Sequence, residues 1–240
     1  MHFKIFIIRK IKSLFCKFKL HVLFKPFEGI LLNIVYLSRL SRWIAKTPRS
    51  EFNDFYNRKV IYQDRFKLHQ YVIDREINDQ AIDYLEFGVA RGIAIKWWAE
   101  KNQNPETRFY GFDVFTGSPE DFGVMKSYHF DTQGETPKID DERVSFIKGL
   151  FQDTLFDFLS RFNSNRRIVI HMDADLYSST LFVLTAIFPR LKKDDIIIFD
   201  EFGVPTFEFR AFSDLVSAYN LEYELIGSIN NYLQIAIKLK

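Results

Sequence analysis

The feature that most limits the possible folds is a regular alternation, from residue 80 onward, of short apolar runs with segments of helix length. This pattern is typical of a parallel sheet whose strands are joined by crossover helices. The predicted strands are Ile82–Phe87, Arg108–Asp113, Val144–Lys148, Ile168–Met172, Ile196–Phe199, Leu221–Ile226 and Leu233–Lys238. Helices are expected over roughly residues 91–103, 153–163, 178–191 and 206–219.

The last two predicted strands cannot be joined as parallel neighbours. Only Gly227–Tyr232 separates them, which is too short for a crossover helix, so they must form an antiparallel hairpin. The sequence therefore predicts one α/β domain over residues 80–240, with a mostly parallel, seven-stranded sheet that ends in an antiparallel hairpin. Residues 51–79 are expected to form a helical cap or linker, and residues 1–50 a basic helical extension.

The first fifty residues differ in charge from the rest of the chain. Residues 1–50 carry eleven Lys and Arg against one acid, Glu28, whereas the remainder has 22 basic and 30 acidic residues. Charges interrupt each apolar run before the ~18 residues that span a bilayer, so no transmembrane helix is predicted. No small-residue cleavage site of a secretory signal follows either.

Two basic amphipathic helices remain as the prediction for residues 1–50. They could pack on the α/β domain or on a second copy in a homo-oligomer, or they could lie on an anionic membrane face. No nucleic-acid-binding motif is present, so no nucleic-acid partner is expected. Cys16 is the single cysteine, which excludes an intrachain disulfide and a multi-cysteine zinc site. We expect a cytoplasmic protein, with the inner membrane face as an alternative location.

Two predicted strands end in residues suited to an adenosine ligand. Gly88 and Gly92 after the first strand permit a tight turn and close approach of a ligand. An ordinary strand-to-helix connection could carry the same glycines, since the dinucleotide pattern GxGxxG is absent. Asp113 ends the second strand, where a carboxylate can accept hydrogen bonds from both ribose hydroxyls. Because no pyrophosphate cradle accompanies them, these residues favour a methyltransferase over a nicotinamide enzyme.

Carboxylates follow two later strands in pairs. Asp173 and Asp175 follow Ile168–Met172, and the pair Asp200-Glu201 follows Ile196–Phe199. If these strands are neighbours, roughly 4.8 Å apart, the acids converge and repel one another. A hard divalent cation would relieve the repulsion, and an all-oxygen set favours Mg²⁺, Ca²⁺ or Mn²⁺ over zinc. The alternative is that these acids are helix N-caps and solvated loop residues.

Four segments, in order, resemble the macrocin O-methyltransferase-like branch of the class I methyltransferases, which includes sugar O-methyltransferases of antibiotic biosynthesis. The resemblance covers about residues 80–240. The segments are Leu85–Gly92, Gly111–Glu120, Lys148–Leu155 and His171–Thr180, of which the last is the most specific. The resemblance implies a Rossmann-like class I methyltransferase fold with S-adenosylmethionine as the cofactor.

The resemblance also implies residue roles. Asp175 would be the general base, and Asp173, Asp200 and Glu201 would bind Mg²⁺. The family has Asp-Asp where this chain has Asp200-Glu201, so the third metal ligand departs from the family pattern. The residues implied to hold the cofactor are Glu86, Gly88, Arg91, Gly92, Asp113, Phe115, Gly149, Phe151 and Asp173.

The predicted activity is methyl transfer to a hydroxyl of a sugar or glycosylated small molecule. A metal would lower the pKa of that hydroxyl and a carboxylate would take its proton. Two alternatives are a Mg²⁺-dependent phosphoryl-transfer or hydrolytic enzyme, although no P-loop occurs, and a catalytically silent scaffold of the same fold. The irregular stretch 114–142 is expected to form an active-site loop in which His129 could face the substrate, and His171 is expected to be a hydrogen-bonded core histidine.

Overall fold

The computed structural model describes residues 2–117 and 130–240. The helices are α1 (His2–Lys17), α2 (His21–Phe24), α3 (Glu28–Lys46), α4 (Arg65–Val72), α5 (Ile93–Lys101), α6 (Phe151–Arg161), α7 (Tyr177–Ile187) and α8 (Glu208–Tyr219). Short helical turns occupy Lys25–Phe27, Tyr62–Asp64, Ile73–Ile77 and Phe188–Arg190. The strands are β1 (Phe52–Asn53), β2 (Ile82–Phe87), β3 (Arg108–Asp113), β4 (Val144–Lys148), β5 (Arg167–Met172), β6 (Ile196–Phe199), β7 (Tyr223–Ile229) and β8 (Gln234–Leu239).

The strands form one sheet in the order β1-β7-β8-β6-β5-β2-β3-β4. Strands β2 to β6 are parallel, and β8 runs antiparallel to both β6 and β7, as the short final connection predicted. The predicted number of seven strands is wrong, because β1 adds an eighth strand beside β7, with Phe52 opposite Gly227. A two-residue strand is too short for an alternating pattern to reveal it.

The central strands are buried because helices cover both faces of the sheet. All six residues of β2 are buried, as are all four of β6. Successive side chains of a strand point to opposite faces, so Leu85 joins a core with α6, α7 and α8, whereas Tyr84 joins a second core with α4 and α5. Helix α4, which lies within the helical cap or linker expected over residues 51–79, thereby packs into this second core.

The order of the strands creates a crevice at one edge of the sheet. The chain runs outward from β2 through β3 to β4 and then returns to β5 on the other side of β2. Ligands in open α/β sheets bind at such a reversal, beyond the carboxyl ends of the strands. In register, Phe87 lies opposite Met172, and Met172 lies opposite Phe199, so the acids after β5 and β6 start from adjacent positions, as predicted.

The second half of α3 packs against the sheet domain. Tyr36 and Leu40 are buried in the core, and Trp43 donates a hydrogen bond to the hydroxyl of Tyr223 over 2.7 Å. Helix α1 and the start of α3 instead expose their apolar residues. No single described helix is long and apolar enough to cross a membrane, but Phe3–Lys17 and His21–Lys46, bent by 82° at their break, meet the length and composition criteria as a pair.

Candidate functional site

A cavity of about 580 Å³ opens at the strand-order reversal. This volume is within the range of sites for small molecules. Its walls come from the carboxyl ends of β2, β3, β5 and β6, from the start of α6, and from the segment that begins α4. Most of the residues predicted to hold a cofactor, and two of the three predicted to bind a metal, thus face one space from different strands.

The turn after β2 depends on glycine. Gly88 has a φ of +95°, and a Cβ atom there would lie 1.9 Å from the carbonyl oxygen of Asp173. The next amides of the turn are held by Asp113, because its Oδ2 accepts hydrogen bonds from the backbone N–H groups of Val89 (2.8 Å) and Ala90 (2.7 Å). Its Oδ1 accepts a third, from the N–H of Phe115 (2.8 Å). Asp113 therefore shapes the turn as well as facing the cavity.

The structure brings most of the predicted cofactor residues to the cavity. Those that line it are Glu86, Gly88, Arg91, Asp113, Phe151 and Asp173. The other three predicted cofactor residues, Gly92, Phe115 and Gly149, do not line the cavity. A Cβ atom on Gly92 would meet the ring of Pro137 at 2.7 Å, and Phe115 is fully buried with its ring edge-to-face with Phe146. Gly149 donates its N–H to the carbonyl of Asp113 over 3.0 Å and so positions the residues after it, which do reach the cavity.

The predicted metal ligands do not share one open face. Asp173, Asp175 and Glu201 line the cavity, whereas Asp200 is fully buried behind it. Arg65 separates them: its Nη1 donates to Asp200 Oδ2 over 2.6 Å and lies 3.4 Å from Asp173 Oδ2.

Tyr62 completes this barrier. Its hydroxyl donates a short hydrogen bond to Asp200 Oδ2 and accepts one from Arg65 Nη1 over 2.5 Å. Its ring lies under the Arg65 guanidinium, 4.4 Å from the centre of the ring. Both residues line the cavity, so a ligand there meets the tyrosine and the arginine before it meets Asp200.

Two buried histidines lie beneath the acids. His171 Nδ1 is 3.0 Å from the Tyr84 hydroxyl, and its Nε2 is 3.5 Å from Asp200 Oδ1. Burial opposes a charge on His171, but hydrogen bonding and charge from Asp200 and Glu86 outweigh it and raise the pKa of His171 to about 10. The prediction of a hydrogen-bonded core histidine is therefore confirmed. His69, whose Nδ1 accepts the indole N–H of Trp98, has a pKa far below its ordinary value because of burial and the neighbouring His171.

His69, His171 and Asp200 place one ligand atom each within 4.8 Å of one another, the geometry of a metal site. All three side chains are wholly buried. Among the described residues, His69 Nε2, His171 Nε2 and Asp200 Oδ1 have no hydrogen-bond partner. Two imidazole nitrogens and one carboxylate are a donor set that suits a transition metal rather than the Mg²⁺ expected from the sequence.

The acids titrate differently on the two sides of Arg65. Burial, then the charges of Asp200 and Asp113, raise the pKa of Asp175 to about 7. Burial and the charges of Asp200 and Asp175 raise the pKa of Glu201 to about 8. Burial alone would also raise the pKa of Asp200, but His171 and Arg65 hold it below its ordinary value.

Sequence reasoning missed Tyr62, Arg65 and the buried Glu208, whose Oε2 accepts the backbone N–H of Glu201 over 2.9 Å. The sequence signal that could have pointed to Arg65 is the excess of acids at the strand ends. Such a cluster requires a cation, which the sequence analysis took to be a metal ion and which the structure supplies as Arg65. Ser118–Glu120 of the second motif and His129 lie outside the described residues.

Comparison with known proteins gives a family and a fold. The sequence profile of the macrocin O-methyltransferase (TylF) family matches residues 56–231. No curated protein matches the sequence. The solved structure of the calicheamicin methyltransferase CalS11 is similar at 20% identity and a TM-score of 0.55, over 85% of this chain and 91% of that one.

Two further solved structures are similar. The O-methyltransferase NovP matches at 19% identity and a TM-score of 0.56, over 88% of this chain and 99% of that one. An apo structure of CalS11, described as a TDP-rhamnose 3'-O-methyltransferase, matches at 22% identity and a TM-score of 0.52, over 85% and 93% of the two chains. The predicted class I methyltransferase fold is thereby confirmed.

Proposed function

The chain belongs to the macrocin O-methyltransferase (TylF) family, and from this membership we propose that it transfers a methyl group to a hydroxyl of a sugar or of a glycosylated small molecule. It is an S-adenosylmethionine-dependent O-methyltransferase. The sugar is supported by its structural relatives, one of which is described as a TDP-rhamnose 3'-O-methyltransferase. The observation that carries the proposal is the shared cavity of the Gly88 turn, Asp113 and Asp175. Membership of this family favours methyl transfer over the phosphoryl-transfer and scaffold alternatives.

The cavity has the features that S-adenosylmethionine requires. The Asp113 carboxylate accepts three hydrogen bonds from backbone N–H groups. A carboxylate has about four acceptor sites, so about one remains for a ribose hydroxyl. Leu150 and Phe151 supply an apolar wall for an adenine ring. We propose that Glu86 and Arg91 lie near the polar methionine end. Bound here as the second substrate, S-adenosylmethionine supplies a methyl group made electrophilic by its sulfonium.

We propose that Asp175 is the general base. As the acceptor oxygen forms its bond to the methyl carbon, the carbon–sulfur bond breaks, the sulfonium becomes a thioether, and the hydroxyl proton passes to the Asp175 carboxylate. A pKa of about 7 suits this role, because a base titrating near the working pH is both available and sufficiently basic. The left-handed backbone at Asp175, with φ of +57°, sets this side chain at the cavity while Leu176 returns to the core.

The residues predicted to bind Mg²⁺ do not fit that ion. Asp200 Oδ2 already accepts hydrogen bonds from Arg65 and Tyr62, which stand between Asp200 and the cavity, and its Oδ1 lies 3.5 Å from His171 Nε2. Within residues 2–117 and 130–240, Asp173, Asp200 and Glu201 do not bring three oxygens within 4.8 Å of one another. No step of the proposed reaction passes through a metal.

An assay of methyl transfer tests the activity. The protein is incubated with S-adenosylmethionine and a panel of nucleoside-diphosphate sugars, and the products are analysed by mass spectrometry. We expect a mass gain of one CH₂ on a sugar hydroxyl and stoichiometric release of S-adenosylhomocysteine. Methylation confined to acceptors that lack a sugar would refute the proposed substrate class, and binding of S-adenosylmethionine without any transfer would refute the proposed reaction.

We propose that an anionic lipid surface is the partner of residues 1–50, which would place the enzyme in the cytoplasm at the inner membrane face. Residues 2–27 carry seven Lys and Arg and no acid. On α1, Phe3, Ile7, Ile11 and Leu14 recur at helical spacing and are all exposed. A predicted homo-oligomer through this surface would bring like charges together, whereas anionic lipids attract them.

Flotation with vesicles tests the lipid proposal. We expect binding to phosphatidylcholine vesicles that contain phosphatidylglycerol, little binding to phosphatidylcholine alone, and release at high salt. Ile11→Ser should weaken binding on the order of tenfold. Phe156→Ser, which alters a residue equally exposed at 59% on α6, is the matched control. If the protein sediments as a dimer and binds neither kind of vesicle, the surface is instead an interface with a second copy of the chain.

A further inference from the structure

Arg65 is held at the centre of the acidic cluster by its secondary structure. It is the first residue of α4, and the next turn of that helix buries Leu68 and His69 completely. Its side chain is only 10% exposed, and its position is set by a guanidinium contact to each of two carboxylates. The aromatic rings of Tyr62 and Phe66 also lie against the guanidinium, at 4.4 Å and 5.2 Å.

These contacts supply the charge that the strand-end acids require. An arginine remains charged in proteins, and hydrogen bonds between ionised groups are the shortest and strongest. The 2.6 Å bond to Asp200 is of this kind, and the 3.4 Å contact extends the same charge to Asp173. A divalent cation between these two carboxylates would have to displace the guanidinium or lie beside a like charge.

We propose that Arg65 is the resident cation of this site, and that the enzyme transfers methyl groups without a divalent metal. The guanidinium holds Asp173 and Asp200 in place and presents positive charge to the cavity, where the acceptor oxygen becomes negative as it loses its proton. The activity part of this inference rests on the proposed methyl transfer, whereas the metal-binding part does not.

The test begins with metal binding by the chelator-treated, full-length protein. Mn²⁺ is titrated and followed by electron paramagnetic resonance and by calorimetry. We expect no saturable Mn²⁺ binding by the wild-type protein and the same turnover in EDTA as in excess Mg²⁺. One Mn²⁺ bound per chain, or turnover that EDTA removes and Mg²⁺ restores, would overturn the proposal.

Substitutions at Arg65 separate its charge from its packing. Arg65→Met keeps an unbranched side chain but removes the cation, so we expect this variant to gain saturable Mn²⁺ binding and to lose turnover on the order of 100-fold. Arg65→Lys keeps a cation and should bind no Mn²⁺ while it retains more turnover than the methionine variant. Arg75→Met is the matched control, because Arg75 is a half-exposed arginine in the helical turn Ile73–Ile77. This variant should change neither Mn²⁺ binding nor turnover.

Calorimetric binding of S-adenosylmethionine reports whether each variant has kept its folded cavity. If Arg65→Met folds but gains no metal binding, Arg65 is not what excludes a cation, and the proposal fails. If no acceptor is ever methylated, the proposed function fails while the Mn²⁺ titrations still decide the role of Arg65. If Arg65→Met does not fold, the wild-type titration and Arg65→Lys decide it.

Discussion

The acidic cluster has a cavity side, formed by Asp173, Asp175 and Glu201, and a buried side, formed by Asp200 and His171. Burial disfavours the charged form of each of these acids, and it raises the pKa values of the three cavity-side acids. The pKa of Asp200 is lowered although Asp200 is buried as well. The difference lies in the partners. Arg65 Nη1 is 2.6 Å from Asp200 but 3.4 Å from Asp173, and only Asp200 also faces the protonated His171.

The comparison teaches that the chemistry of a strand-end carboxylate depends on what lies opposite it. Asp175 and Asp200 both follow a buried strand of the same sheet. One meets the cavity and keeps its proton until about neutral pH, so it can act as a base. The other is ionised, paired and inaccessible, so it can only hold structure.

The largest effect is expected from Asp175→Asn. The amide keeps the size of the side chain but cannot accept the hydroxyl proton, so turnover should fall by about 10²–10⁴-fold. The change leaves the ion pairs of the buried side in place, and calorimetric binding of S-adenosylmethionine should be retained. Steady-state methyl transfer measures the loss. Turnover equal to that of the wild-type protein would remove Asp175 from the role of base.

Asp200→Asn tests the buried side through stability. The substitution leaves Arg65 and His171 without the carboxylate that compensates them, which in a buried network costs about 3–5 kcal/mol. Chemical denaturation should therefore show a much lower free energy of unfolding. Asp140→Asn, at an exposed aspartate, is the control and should stay within about 0.5 kcal/mol of the wild-type protein. Equal stability of the two variants would mean that Asp200 is not a structural ion-pair partner.

The positions of the strand-end acids could be predicted from the sequence, whereas the position of Arg65 among them could not. Strand ends follow from local apolar patterns, and the carboxyl edge of a parallel sheet is where such residues gather, so the meeting of acids from β5 and β6 could be predicted. Asp200 was expected to share the open site with Asp173 and Glu201, but it is buried behind the cavity. Arg65 is 108 residues from Asp173 and 135 from Asp200, and only the packing of α4 brings it to them. Phe115 likewise follows a cofactor-type motif but is buried by its local backbone turn, at φ of +59°.

The pH dependence of turnover distinguishes the two sides without a mutation. If Asp175 is the base, kcat/KM should be low in acid, rise through an apparent pKa near 7 and level off above it. Asp200, with its lowered pKa, is ionised throughout this range and should add no inflection. Its pairing contributes stability above its unfolded pKa, which is lost as the pH falls through its lower folded value. A kcat/KM profile that is flat between pH 5 and pH 9 would contradict the assignment of Asp175.

Glu201→Gln is expected to have the smallest effect, and its sign depends on pH. With a pKa of about 8, Glu201 is mostly protonated at pH 7, and glutamine imitates that neutral form, so turnover at pH 7 should change little. A raised folded pKa means that the wild-type protein loses stability as the pH rises from the ordinary value toward 8, whereas the glutamine variant does not. Melting temperatures should therefore nearly coincide at pH 5, and by pH 9 the variant should be the more stable protein. A large loss of turnover at pH 7, with the fold intact, would instead indicate that the ionised Glu201 has a role on the cavity side.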